Sequence, residues 1–202
     1  MRRLWRSYEA CLHARPVTTK ATVSFTMFTI TDVAVQRLER SIASRDIDDG
    51  ESRAPRQFNV DVPRTATQAM FGAYYGIVHA HFIWGKLEQL FGAVRRAGVV
   101  IPGGRLGGAM ARVAVDQFIT GTPLFNTVFF YSTGRFSRGM NHDDALQHVH
   151  ARLGPMLQLH WSFWVPFHTI NFWLVPFRHR LLPAQAALFG WSSFMSYTGA
   201  RK

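Results

Sequence analysis

The sequence predicts an all-α chain, a bundle of apolar helices behind a short amphipathic one. Three observations predict it. Five apolar stretches, about 21–38, 66–90, 106–131, 155–177 and 183–197, have the length of helices rather than of strands. Period-two alternation is missing, and only the Thr-rich residues 22–31 hint at it. Small residues and prolines also fall inside the apolar stretches, as they do in helices packed in lipid. With 202 residues and no fixed-period repeat, the whole chain 1–202 reads as a single domain.

Taken in order, residues 1–18 hold the amphipathic helix. Leu4, Trp5, Tyr8, Cys11 and Leu12 share one face, with Arg2, Arg3, Arg6 and Glu9 elsewhere. An arginine-rich helix of this kind suits a membrane interface or mitochondrial targeting. The first apolar stretch carries Asp32 and Gln36, and a polar loop is expected over 39–64. In the second stretch Gly72 and Gly76 form a Gly-x-x-x-Gly pair that lets backbones approach closely. A connector over Arg95–Arg105, containing Pro102, Gly103 and Gly104, precedes the third stretch, which contains Arg112, Asp116 and Gln117. Asn141 to Asp144 reads as a helix start, with acids where the helix dipole favours them. Pro166 and Pro176 bound an aromatic run, and the last stretch, 183–197, is short enough to span or to lie along an interface.

Composition narrows the function classes. Charged residues are 17%, aromatics 14%, and the net charge is +11. The arginines punctuate the apolar stretches instead of lining one helix, and no nucleic-acid-binding motif is present, so nucleic acid is not an expected partner. The single cysteine, Cys11, excludes an internal disulfide framework and a Cys-based zinc site. His79 with His81, and His148 with His150, are spaced by two, which points them apart on a helix, and no His-Glu-x-x-His occurs. Neither a Gly-x-Ser-x-Gly elbow nor a phosphate loop is found. No enzyme activity, metal or cofactor is therefore expected. A mean hydropathy of −0.02 leaves a soluble bundle open beside a membrane one.

The motifs, in chain order, resemble those of the 22-kDa peroxisomal membrane protein family, also called the Mpv-seventeen family. Trp5, Tyr8, Leu12, Pro16 and Thr19 match its W-x-x-Y-x-x-x-L-x-x-x-P-x-x-T opening. Asp32 and Gln36 match D-x-x-x-Q, and Asp61, Arg64 and Thr65 match D-x-x-R-T. His81, Phe82, Trp84, Leu87 and Glu88 resemble H-x-W-Y-x-x-L-D, and Arg112 stands four residues before an Asp116–Gln117 pair, with Pro123 following. Trp161, Trp164, Asn171, Phe172, Val175, Pro176 and Arg180 follow the family's W-x-x-W-P-x-x-Q-x-x-N-F-x-x-V-P-x-x-x-R; Trp191, Met195 and Ser196 resemble its close. Four departures stand out: Ile77–Val78 replaces Gly-Pro, Pro166 is displaced by one, Pro123 comes one residue late, and His168 stands where glutamine is usual.

The resemblance implies a polytopic membrane bundle of four transmembrane helices behind the amphipathic one. It implies residence in the mitochondrial inner membrane or the peroxisomal membrane, and a channel or pore for small solutes. Its partners would be the lipid bilayer, small solutes and a homo-oligomer or membrane complex. The rival is a non-conducting structural component of a membrane assembly. Ionisable groups inside a membrane helix face the bundle interior or a water-filled path. Asp32, Gln36, Arg112, Asp116, Gln117 and Asn171 are accordingly the candidate pore or interhelix residues, with Asp116–Arg112, one turn apart, the expected structural pair.

Overall fold

The computed structural model describes residues 2–45 and 58–199, and every element among them is helical. Helix α1 spans Arg2–Ala14 and α2 spans Pro16–Arg45, proline occupying the first turn, where its missing N–H costs nothing. Helix α3, Val62–Tyr74, is capped by Asp61, whose carboxylate accepts the Arg64 N–H at 3.0 Å. It runs through a π-helical segment, Tyr75–Ile83, into α4, Trp84–Arg96. Helix α5, Gly104–Ala114, continues likewise through a π turn, Val115–Thr120, into α6, Gly121–Ser132, and a last π turn, Thr133–Ser137. Helix α7, His142–Leu174, starts at the expected cap, Asn141, which accepts the Asp144 N–H at 2.8 Å. A single 3₁₀ turn, Phe177–His179, leads to α8, Leu181–Gly199.

The helical reading of residues 22–31 holds and the bounds of one loop differ, each for a local reason. Residues 22–31 are helical because backbone bonding outweighs β-branching, Thr29 turning its hydroxyl onto the Phe25 carbonyl at 2.8 Å. The loop expected over 39–64 is shorter at both ends: α2 continues to Arg45, with Glu39 held by Arg64 at 2.7 Å, and α3 begins at Val62. The acidic residues 46–52 of that connector lie outside the described residues.

Helix α2 packs along α3, the first π segment and α8, while α7 packs along α5 and α6. Gly72 and Gly76 seat α3 against α2: an added Cβ at Gly72 would lie 2.6 Å from the Ser24 carbonyl, and one at Gly76 would collide with Lys20. The core gathers Phe28, Phe71, Tyr75, Trp84, Val113, Phe172 and Leu181.

Polar and apolar residues are distributed against the usual rule for water-soluble domains. Lys20, Asp32, Asp116, Gln117, Asn171, Arg180 and Gln185 are buried, whereas Phe25, Met70, Phe82, Phe118, Ile170 and Leu174 are exposed. On α2, Asp32 is 6% exposed and Ile30 52%; in the second π turn Asp116 is fully buried and Ile119 is 71% exposed. Among the described residues, no helix is long and apolar enough to cross a membrane.

Candidate functional site

The six polar candidates separate into three groups. The first ties α2 to α3. Arg64 Nε donates to Asp32 Oδ1 at 2.9 Å and its Nη1 to Glu39 Oε2 at 2.7 Å. Gln36 Nε2 donates to Asp32 Oδ2 at 2.7 Å and to Thr65 Oγ1 at 2.9 Å, and Gln36 Oε1 accepts the Asp61 N–H at 2.8 Å. Two short motifs thus meet as one network, in which Asp32 also accepts from Thr65 at 2.7 Å. Charge-assisted bonds on every side make this a structural clamp.

A second group closes the opposite end around Glu88. Arg180 Nη1 donates to Glu88 Oε1 at 2.6 Å, and Arg112 Nε lies 3.0 Å from the same oxygen. Arg180 also donates to the Val175 and Phe172 carbonyls and stacks 4.3 Å over the Phe172 ring. Asn171 joins this group, its Nδ2 donating to the Arg180 carbonyl at 3.1 Å. Pro176 ends α7 just before the turn that returns Arg180 to it. Arg112 therefore does not pair with Asp116. Its guanidinium reaches back to the Gly108 carbonyl at 2.9 Å and across to Glu88, pointing away from the next turn.

Asp116 and Gln117 form the third group, in the middle of the bundle. The two π segments face each other here, and Asp116 Oδ1 stands 3.3 Å from His79 Nε2 without the alignment of a hydrogen bond. Gln117 Nε2 donates to Asp116 Oδ2 at 2.9 Å, and Trp161 Nε1 donates to the Gln117 carbonyl at 3.0 Å. Gly121 permits the approach, since a Cβ there would lie 2.5 Å from both Asp116 Oδ1 and His79 Cε1. Beside the pair is a cavity of about 30 Å³, bordered by His79, Gln117, Thr122, His160, His168 and Gln185 with aromatic walls that include Tyr75, Phe125 and Trp164. Trp164 is stacked between His160 and His168, at ring distances of 5.5 and 5.2 Å. Among the described residues no group of three or more His, Cys, Asp or Glu could hold a metal ion.

Sequence reasoning singled out Asp116 and Gln117 but missed His79, His160 and His168 as their neighbours. His160, Trp164 and His168 recur every four residues, a one-face spacing that was readable. His79 was hidden in the His-x-His pair: His79 is buried and His81, two residues on, turns outward against Phe82. The remaining motif residues pack the frame. Trp5 lies on His179 at 5.0 Å, Trp84 is ringed by Tyr75, His79, His168 and Phe172, and Trp191 stacks on Phe163 at 5.0 Å.

Comparison with known proteins draws these groups together. The model of the Mpv17 / PMP22 family matches residues 135–196, which hold α7, the 3₁₀ turn and most of α8. Full-length relatives extend the likeness to the rest. Protein SYM1 of Candida glabrata is 27% identical over 201 residues, covering 100% of this chain and 92% of that protein. The chain is similar to the Mpv17 / PMP22 family along its whole length. Protein SYM1 of Saccharomyces cerevisiae is 29% identical over 202 residues, covering 98% of this chain and 91% of that protein. PXMP2/4 family protein 2 of Dictyostelium discoideum is 23% identical over 197 residues, at 98% and 91% coverage. No solved structure matches. The proteins of that family and its SYM1 members are organelle membrane proteins, mitochondrial or peroxisomal.

Proposed function

We propose that this chain, as a member of the Mpv17 / PMP22 family, crosses the mitochondrial inner membrane with four helices and forms a pore for small solutes around Asp116 and Gln117. The observation that carries the reading is the burial of charges and amides beside the aromatic core while many large apolar residues stand on the outer face. Lipid accepts the outer face, and the buried charges satisfy one another within the bundle. The spans are α2, the rod from Val62 to Arg96, the rod from Gly104 to Ser137, and α7. At 1.5 Å per residue the 30 residues of α2 extend about 45 Å, beyond a hydrocarbon core of about 30 Å. Length suffices, and the polar groups that lower the hydropathy face inward. The arginine-rich α1 favours mitochondria over peroxisomes.

The pore reading rests on Asp116, Gln117 and their cavity. Purified full-length protein in planar bilayers is expected to conduct, and Asp116→Asn to reduce cation preference. Folded but silent protein would favour the rival, a non-conducting component of a membrane assembly. That rival has its own support: Asp32, Gln36, Arg112 and Asn171 all bind helices together. Release of the protein by carbonate extraction would refute the spanning helices, and a peroxisomal pattern on imaging the full-length chain would refute the compartment.

A further inference from the structure

We infer that Asp116, His79, His168 and His160 form a proton relay, and that the ion this chamber transmits is the proton. The inference deepens the pore reading at the same site, naming the transmitted species. A carboxylate and three imidazoles border or adjoin one cavity, on three different helical elements. The cavity has room for about two water molecules, since one needs roughly 10–15 Å³ of such space. That is sufficient for a hydrogen-bonded chain. Several fully buried atoms lack a protein partner there: Asp116 Oδ1, Gln117 Oε1, Gln185 Oε1 and His168 Nδ1. Buried polar atoms of this kind are ordinarily satisfied by ordered water. Two waters among them would connect His168 to the Asp116–His79 pair.

The groups facing Asp116 come from every packed element. The first π segment gives Tyr75 and His79, and its own π turn gives Gln117. Helix α7 gives His160 and His168, with Arg180 beyond His168. Helix α2 presents Phe28, and α8 presents Ala184, Gln185 and Leu188, none of which titrates. The imidazoles, the carboxylate and the Tyr75 hydroxyl are therefore the titratable groups at the cavity. In one hop the Asp116 carboxylate accepts a proton from a neighbouring water or from an imidazolium at His79. Asp116 then releases that proton to the next unprotonated imidazole or water, the donor is reprotonated from the member behind it, and each passage moves one proton along the chain with no redox change. Asp/His chains inside membrane bundles serve such relays elsewhere.

The test is proton flux into vesicles holding the full-length protein and a trapped pH-sensitive dye, driven by a potassium gradient and valinomycin. Flux well above that of protein-free vesicles is expected, slowed in heavy water beyond the change in viscosity. Asp116→Asn and His79→Gln should each cut it by roughly a hundredfold, the low end of what a positioned proton-transfer group contributes. Because Asp116→Asn could also unfold the bundle, His168→Gln is measured beside it, each variant checked by its thermal unfolding. A hydroxyl- or amide-bearing solute, such as glycerol, is followed by vesicle swelling in parallel. Glycerol permeation with proton flux at the protein-free level would overturn the relay and leave the pore reading standing. Proton flux without glycerol permeation would support the relay and overturn the solute pore. Unchanged proton flux in folded His79→Gln and His168→Gln would overturn the relay as well.

Discussion

Arg180 Nη1 donates to Glu88 Oε1 over 2.6 Å, joining residues 92 positions apart at one end of the bundle. Around that bond Arg112, Phe172 and the Val175 carbonyl complete a cluster that fixes the return of the chain from α7 to α8.

Removing Arg180 leaves Glu88 with Arg112 alone and strips two carbonyls of their donor. Arg180→Gln is expected to destabilise the protein by about 3 kcal/mol, the low end for breaking a buried ion pair. Glu88→Gln should cost less, because Arg180 keeps both carbonyls and the Phe172 ring. Thermal unfolding in detergent orders the two, and a larger loss for Glu88→Gln would contradict this account.

Asp32 lies in a clamp away from the cavity, so its removal should act on stability and not on selectivity. Asp32→Asn loses its charge-assisted bond with Arg64, a change of about 2 kcal/mol. Bilayer recordings of the folded variant should retain wild-type ion preference. Altered preference at native stability would bring Asp32 into the conduction path.

Glycines at helix contacts should differ sharply from open ones. Gly72→Ala places a methyl 2.6 Å from the Ser24 carbonyl and near the Phe28 ring, an overpacking expected to cost about 1–3 kcal/mol. Gly190→Ala meets nothing within 4 Å and should stabilise α8 by up to about 1 kcal/mol. Equal melting shifts for the two variants would show that α2 and α3 are not seated on Gly72.

Gly121→Ala tests the Asp116–His79 approach without touching either charge. Its methyl would fall 2.5 Å from both partners, forcing them apart. We expect a loss of proton flux comparable to that of His79→Gln, with cation currents less affected. Full proton flux in folded Gly121→Ala would mean that the 3.3 Å spacing is not required.

The sequence by itself determined the helical class, the cap at Asn141, the close approach at Gly72 and Gly76, and the motifs that carry the family resemblance. These follow from local rules: periodicity, capping chemistry and side-chain size act within a turn or two. The tertiary structure alone decided which partner each charge takes. Asp116 and Arg112, one turn apart, look like an ion pair along the chain, yet each turns to a different helix. Arg112 is drawn to Glu88 and Asp116 to His79 because burial rewards partners that approach across the bundle, and Asp116 and His79 both sit in π-helical winding, off the regular helical register. The clamp of Asp32 with Arg64, and the His160–Trp164–His168 stack against the cavity, arise the same way: spacing places side chains on a face, but only packing supplies what that face meets.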